Sequence, residues 1–228
     1  IQRLKPRDQH DGGRERQLKP RLAQTFRLGQ QQQHCGQRHR PHGQPTPIQQ
    51  ESLSDLLAGR DVLAQAKTGS GKTLAFALAI LSDVDAGSGV QSLVLCPTRE
   101  LADQVTQAIR KVAVRLPNLK ISAFYGGIPV RVHVESLVHE PSIVVGTPGR
   151  ILELIQNGAL KLSGLKTLVL DEADRMLDMG FEPAIQSIQK ALPSKRQTLL
   201  FSATFPEQVK ALSKTYQNAP KEILLDTD

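Results

Sequence analysis

Seven short apolar runs constrain this chain more than any other feature. They lie at residues 62–65, 92–96, 120–124, 142–145, 167–170, 198–201 and 222–225, and they are continuous rather than alternating. A strand with one wet face alternates apolar and polar residues, whereas an unbroken apolar run suits a strand buried on both faces. Between the runs the period becomes helical. Leu101, Val105, Ala108, Ile109 and Val112 fall on one face of a helix. Residues 72–83, 130–138, 150–156 and 206–216 follow similar patterns. Alternation of this kind predicts an α/β fold: a mostly parallel sheet with helices on both faces. Such sheets collect ligands beyond the carboxyl ends of their strands. The candidate functional residues are therefore those that follow each strand.

Several classes are excluded first. The longest apolar run, residues 74–81, is eight long, and a membrane-spanning helix needs about 18. The opening residues are polar and basic, with no apolar core of a signal segment behind them. The two cysteines, Cys35 and Cys96, are far apart and belong to no paired ligand spacing, which speaks against a disulfide framework and against zinc. A reducing, cytoplasmic setting is expected.

The net charge of +7 lies entirely in residues 1–44, which hold ten Lys/Arg against three Asp/Glu; residues 45–228 hold nineteen of each. Residues 1–44 also contain ten Gln and no helical or strand period, so a basic, disordered arm is expected there, suited to polyanions or simply solvated. Gln, His, Arg, Pro and Leu, which share codons beginning with C, fill 29 of these 44 positions, and the sequence starts at Ile1. A mistranslated or truncated leader is one expectation from that bias. Residues 45–228 form the regular domain.

After the run at 62–65 comes Ala66-Lys67-Thr68-Gly69-Ser70-Gly71-Lys72-Thr73, then a helix. This reads as a phosphate-binding loop, with Ala66 where the strict pattern has Gly. Gly69 and Gly71 allow a tight turn that presents backbone N–H groups, with Thr68 and Ser70 between the strand and the helix. Lys72 can reach the β- and γ-phosphates, and the Thr73 hydroxyl can ligate Mg²⁺. After 167–170 comes Asp171-Glu172-Ala173-Asp174. Asp171 is expected to hold Mg²⁺ and Glu172 to polarise the attacking water. The competing reading is an acidic cap on the next helix. Together these motifs predict a nucleoside-triphosphate hydrolase.

Other strand ends carry small polar loops: Pro97-Thr98-Arg99-Glu100-Leu101, Gly126-Gly127 and Thr147-Pro148-Gly149-Arg150. Hydroxyls, free N–H groups and arginines suit a phosphodiester backbone contacted without regard to base. A turn followed by a helix cap competes at each. Ser202-Ala203-Thr204 follows 198–201 and either relays the state of the phosphate or caps the helix near Pro206. Gln49, after Pro45-Thr46-Pro47-Ile48, has an amide able to meet the N6/N7 edge of adenine.

In order and spacing these motifs resemble the first RecA-like domain of DEAD-box ATP-dependent RNA helicases, over Gly43 to the C-terminus. Residues 64–67, 93–105 and 171–181 are most similar to the bacterial ribosome-assembly members of the DbpA kind. The resemblance implies ATP and Mg²⁺ as cofactors and RNA, structured or ribosomal, as partner. It implies adenine recognition by Gln49 and phosphate binding by Thr68 to Thr73. Asp171, Glu172 and Lys72 become catalytic, with Mg²⁺ on Thr73 and Asp171. An RNA path is implied along Pro97, Thr98, Arg99, Gly126, Gly127, Thr147, Pro148, Gly149 and Arg150. Coupling falls to Asp174, Ser202 and Thr204. Where the family has two aromatics upstream of Gln49, this sequence has Gln32 and His42. The family also continues into a second RecA-like domain, which supplies an arginine to the ATP site and is not in this sequence. The expectation is weak ATP binding, very slow hydrolysis and no unwinding by this chain alone. Two alternatives are an ATP-gated RNA-binding module using the basic arm, and a P-loop ATPase acting on DNA or protein.

Overall fold

Each apolar run divides its side chains between two separate cores. In a computed structural model, which describes residues 44–225, Val62 and Ala64 of the first strand join one core while Leu63 joins the other. The same split recurs at Val94 against Leu93 and Leu95, and at Val169 against Leu168 and Leu170. Period two thus persists inside runs that are apolar throughout, because both faces are covered.

The strands are β1 (Val62–Gln65), β2 (Ser92–Leu95), β3 (Ile121–Phe124), β4 (Ile143–Gly146), β5 (Thr167–Asp171), β6 (Gln197–Ser202) and β7 (Lys221–Leu224). They form one sheet in the order β3-β4-β2-β5-β6-β1-β7, and every pairing is parallel. On one face lie α1 (Pro47–Leu57), α2 (Lys72–Asp83) and α3 (Arg99–Val112). On the other lie α4 (Val130–Ser136), α5 (Pro148–Gln156), α6 (Ala173–Asp178), α7 (Glu182–Lys190) and α8 (Glu207–Tyr216). Residues 74–81 of α2 are all buried. That helix lies against the sheet with α1 and α3 as neighbours, which explains its lack of a polar stripe.

The sheet with helices on both faces follows the sequence expectation, and the differences lie at element ends and in the short helices. Strands β4, β5 and β6 run one residue further than their apolar runs, taking in Gly146, Asp171 and Ser202. Ladder pairing does this: Gly146 pairs with Leu95, Asp171 with Phe201, and Ser202 with Gln65. The predicted helix at 130–138 stops at Ser136. Helices α1, α6 and α7 carry too few apolar residues to announce a period; α7 buries only Ile185 and Ile188. The basic arm, with Gln32, Cys35 and His42, lies outside the described residues apart from Gln44. Among the described residues no helix is long and apolar enough to cross a membrane.

At the amino ends of the strands, polar side chains serve the fold. Asp61 accepts from the N–H groups of Thr198 and Asn218, each at 2.7 Å. The Gln217 amide donates to the carbonyls of Val62 and Thr198, each at 2.8 Å. The carboxyl ends are where polar groups converge for another purpose.

Candidate functional site

Strand β6 lies between β1 and β5, so the loops after β1 and β5 start about 10 Å apart, two strand spacings. The loop after β1 turns through Gly69 (φ +84°) and Gly71 (φ +92°), left-handed conformations that glycine adopts without strain. Gly71 is also tightly approached. A Cβ there would lie 2.7 Å from Gln49 Nε2 and 2.8 Å from Thr46 Oγ1.

Gln49, expected to meet adenine, is 2% exposed and committed to the protein. Its Nε2 donates to the Gly71 carbonyl at 3.0 Å, and its Oε1 accepts from the Thr46 N–H at 3.0 Å. It ties the start of α1 to the glycine-rich loop, and one Nε2 hydrogen and one Oε1 lone pair remain beyond these two bonds.

Lys72 opens α2 and crosses the gap. Its Nζ lies 2.8 Å from Asp171 Oδ1 and 3.9 Å from Glu172 Oε1. Both Lys72 and Asp171 are buried. Apart from Lys72, neither Asp171 oxygen meets a donor among the described residues. Burial pushes the Asp171 carboxyl above its usual range, and Lys72 works in the opposite direction. Cys96 is buried nearby; burial first, then the Asp171 charge, pushes its thiol well above the ordinary value, so it is an unreactive packing group.

Glu172 sits between β5 and α6 at φ +55° and ψ +55°. A non-glycine residue held there is strained, as is common at functional turns. Its side chain makes no cap bond to α6, so the acidic-cap reading fails for it. Instead Thr68 Oγ1 donates to Glu172 Oε1 at 2.9 Å, and Arg175 Nη1 lies 3.4 Å from Oε2. The sequence motif points Thr68 at the phosphates and gives Arg175 no role. The three-residue helical spacing from Glu172 to Arg175 was the available signal.

The turn is joined to the end of β6. Asp174 Oδ2 accepts from the Thr204 N–H and from Thr204 Oγ1, both at 2.9 Å. The Asp174 N–H donates to Ser202 Oγ at 3.1 Å. Burial opposes ionisation of Asp174, but the bonds from Thr204 and its neighbours outweigh it and hold the carboxyl below its usual range. Ser202 and Thr204 thus bond the acidic turn, and the N-cap position of α8 falls to Pro206, which makes no side-chain cap bond. Gln65 Nε2 adds a 3.2 Å bond to the Ala203 carbonyl, fastening β1 to the same segment.

The donor set fits a hard divalent cation: an under-satisfied buried carboxylate on Asp171 and the Thr73 hydroxyl in the first turn of α2. No cluster of three His, Cys, Asp or Glu among the described residues could hold a metal unaided. Such an ion would draw its remaining ligands from water and phosphate, as Mg²⁺ commonly does.

The other predicted loops follow β2, β3 and β4, the adjacent strands of the opposite half of the sheet. Pro97 and Thr98 lead into α3, and Thr98 Oγ1 accepts from the Leu101 N–H at 3.2 Å, so its cap role is real. Arg99 is exposed and paired with Glu100 at 2.6 Å. Gly126 and Gly127 follow β3, and a Cβ on Gly127 would lie 3.5 Å from Arg99 Nη1. The Thr147 N–H donates to the Phe124 carbonyl at 3.1 Å, holding the β4 loop against the end of β3. Pro148 opens α5, Gly149 faces open space, and Arg150 turns onto His133 and Glu153.

A glycine-rich turn whose lysine is held by an acidic strand end two strands away defines the class: a RecA-like P-loop domain. Residues 46–212 match the model of the DEAD/DEAH box helicase family, and the chain belongs to that family. It is 53% identical over 183 residues to the ATP-dependent RNA helicase DbpA of Escherichia coli K12, covering 80% of this chain and 40% of the relative. It is 45% identical over 184 residues to the ATP-dependent RNA helicase DeaD of Klebsiella pneumoniae, covering 80% of this chain and 29% of that one. The crystal structure of a DEAD box protein from Methanococcus jannaschii superposes with a TM-score of 0.76 at 40% identity, covering 80% of this chain and 50% of the other. The chain therefore spans less than half the length of these two curated relatives.

Proposed function

We propose that this chain is the ATP-binding, first RecA-like domain of an ATP-dependent RNA helicase. The observation that carries the reading is Lys72 Nζ, 2.8 Å from Asp171 and 3.9 Å from Glu172. A triphosphate whose oxygens take over Lys72 would lie between the glycine-rich loop and the acidic turn. Backbone N–H groups of the loop and the N-terminus of α2 favour the phosphates. A bound Mg²⁺, on Thr73 and Asp171, would neutralise charge on the β- and γ-phosphates. Glu172, oriented by Thr68 and Arg175, would accept the proton of the attacking water. Asp174, Ser202 and Thr204 would pass a change at the acidic turn to the end of β6. Gln49 would read adenine with the Nε2 hydrogen and Oε1 lone pair that its two protein bonds leave over.

In the same reading RNA lies across the loops after β2, β3 and β4, touching Pro97, Thr98, Arg99, Gly126, Gly127, Thr147, Pro148, Gly149 and Arg150. RNA is the substrate we favour, supported by the similarity to an ATP-dependent RNA helicase; structured or ribosomal RNA in the cytoplasm is the narrower reading, carried by the motif resemblance alone. Residues 1–44 form a basic arm that adds salt-dependent affinity. A second RecA-like domain would complete the ATP site with an arginine, a contribution of about 10³–10⁵ in rate. Titration of the purified chain with a fluorescent ATP analogue and Mg²⁺ tests the reading, with circular dichroism reporting folding in parallel. Binding is expected, weakened at least about tenfold by Lys72→Ala. Unaltered nucleotide uptake by a folded Lys72→Ala variant would refute it.

A further inference from the structure

On the half of the sheet remote from the phosphate loop, the Arg150 side chain is only 10% exposed. Two neighbours hold it. Arg150 Nε lies 3.0 Å from Glu153 Oε2, and Arg150 Nη1 lies 2.7 Å from Nδ1 of His133, a buried residue of α4. A guanidinium has five N–H donors and no lone pair, so the short contact requires Nδ1 to accept. The His133 proton must then sit on Nε2, with the ring neutral. An imidazolium here would set two donors and two positive charges face to face.

The surroundings keep the ring in place. Phe124 packs edge-on with ring centroids 5.1 Å away, and Tyr125 does so at 6.4 Å. The Tyr125 hydroxyl is engaged with Asp103, and on α4 itself Arg131 pairs with Glu135 at 2.7 Å. The charged groups facing the ring from α5 are Arg150 and Glu153. Burial and then Arg150 hold His133 below its usual pKa, with Glu153 pulling weakly the other way. The Arg150 Nη2 hydrogens have no acceptor among the described residues.

We propose that His133 is a positioning residue for Arg150: its neutral ring, with Glu153, orients the guanidinium so that Nη2 is left to donate to an RNA phosphate. Nucleic-acid affinity at this edge therefore depends on an unprotonated His133. The functional half of this inference rests on the RNA path proposed above; the His133–Arg150 coupling does not.

Two measurements on the whole chain test the halves separately. Nitrogen-15 spectra of labelled histidine should show His133 as the Nε2–H tautomer, and Arg150→Met should move its titration upward. An unmoved titration, or the Nδ1–H tautomer, overturns the proposal. The second measurement is fluorescence anisotropy with a single-stranded uridine decamer between pH 5.5 and 7.5. His133→Asn places an amide oxygen where Nδ1 was and does not titrate. It should bind like the wild type at pH 7.5 and lack the wild type's relative loss of affinity at low pH. His133→Leu and Arg150→Met should both bind about five- to tenfold more weakly at every pH. Wild-type affinity in folded His133→Leu, with Arg150→Met weakened, overturns the positioning role. Wild-type affinity in Arg150→Met, with the nitrogen-15 coupling intact, overturns instead the RNA path at Arg150 and the functional half with it.

Discussion

Replacing Lys72 by Met removes the cation that faces Asp171, a carboxylate with 0% exposure. The variant is left with a buried negative charge and no described donor in reach. Removing one partner of a buried ion pair costs about 3–5 kcal/mol. Protonation sets a ceiling on that cost. Taking a carboxyl with an unfolded pKa of about 3.9 to its neutral form at pH 7 costs about 4 kcal/mol, from about 1.4 kcal/mol per pH unit. At pH 5 the same escape costs about 1.5 kcal/mol. The sign follows from proton counting. The folded variant holds a proton on Asp171 that the unfolded chain releases, so its stability falls as pH rises above about 4. Wild-type Asp171 is itself pushed up by burial, which trims the difference, so a loss of about 3–4 kcal/mol is expected at pH 7. Urea unfolding followed by circular dichroism, at pH 5, 6 and 7, measures it. Lys72→Met/Asp171→Asn should recover most of the loss, since neither buried charge remains. A loss below about 1 kcal/mol at pH 7, an equal loss at pH 5 and 7, or no recovery in the double variant would refute the reasoning.

Asp174→Asn keeps the shape of the turn but removes a charged acceptor for Thr204. After discounting for solvent, a stability loss of about 1–2 kcal/mol is expected by denaturant unfolding at pH 7. Because the folded carboxyl titrates below its usual range, this difference should be fully present above about pH 4 and vanish as the pH falls through the folded value. Gly71→Ala forces a methyl within 2.7 Å of Gln49 Nε2 at φ +92°. A loss of about 1–3 kcal/mol and a shift in nucleotide affinity are expected from thermal melts and the fluorescent titration.

Much of the architecture was legible because buried parallel strands leave an unusual trace, apolar runs without alternation. The glycine-rich turn was equally plain: Gly69 and Gly71 stand where a strand must become a helix. Short helices were not legible. Six residues in α6 cannot display a period, and α1 buries Gln49 and Ser52 beside Ile48 and Leu56, which blurs its stripe.

Site residues divide the same way. Lys72, Asp171, Asp174 and Thr204 stand in recognisable local strings, and local strings survive in a one-dimensional reading. Side-chain partners depend on segments far apart in the chain. Thr68 meets Glu172 across 104 positions, and Gln65 meets Ala203 across 138. Nothing local in α4 marks His133 as a partner for Arg150, seventeen positions away.

Sequence alone determined which motif follows each strand, because side-chain chemistry and backbone freedom are local properties. Only the tertiary structure decided how those ends are grouped. The order β3-β4-β2-β5-β6-β1-β7 sets the phosphate loop, the acidic turn and the Ser-Ala-Thr segment on one half of a single edge. It sets the three remaining loops on the other half. Strand order follows from how helices pack over both faces and from the ladder that joins distant runs. No stretch of neighbouring residues carries that information.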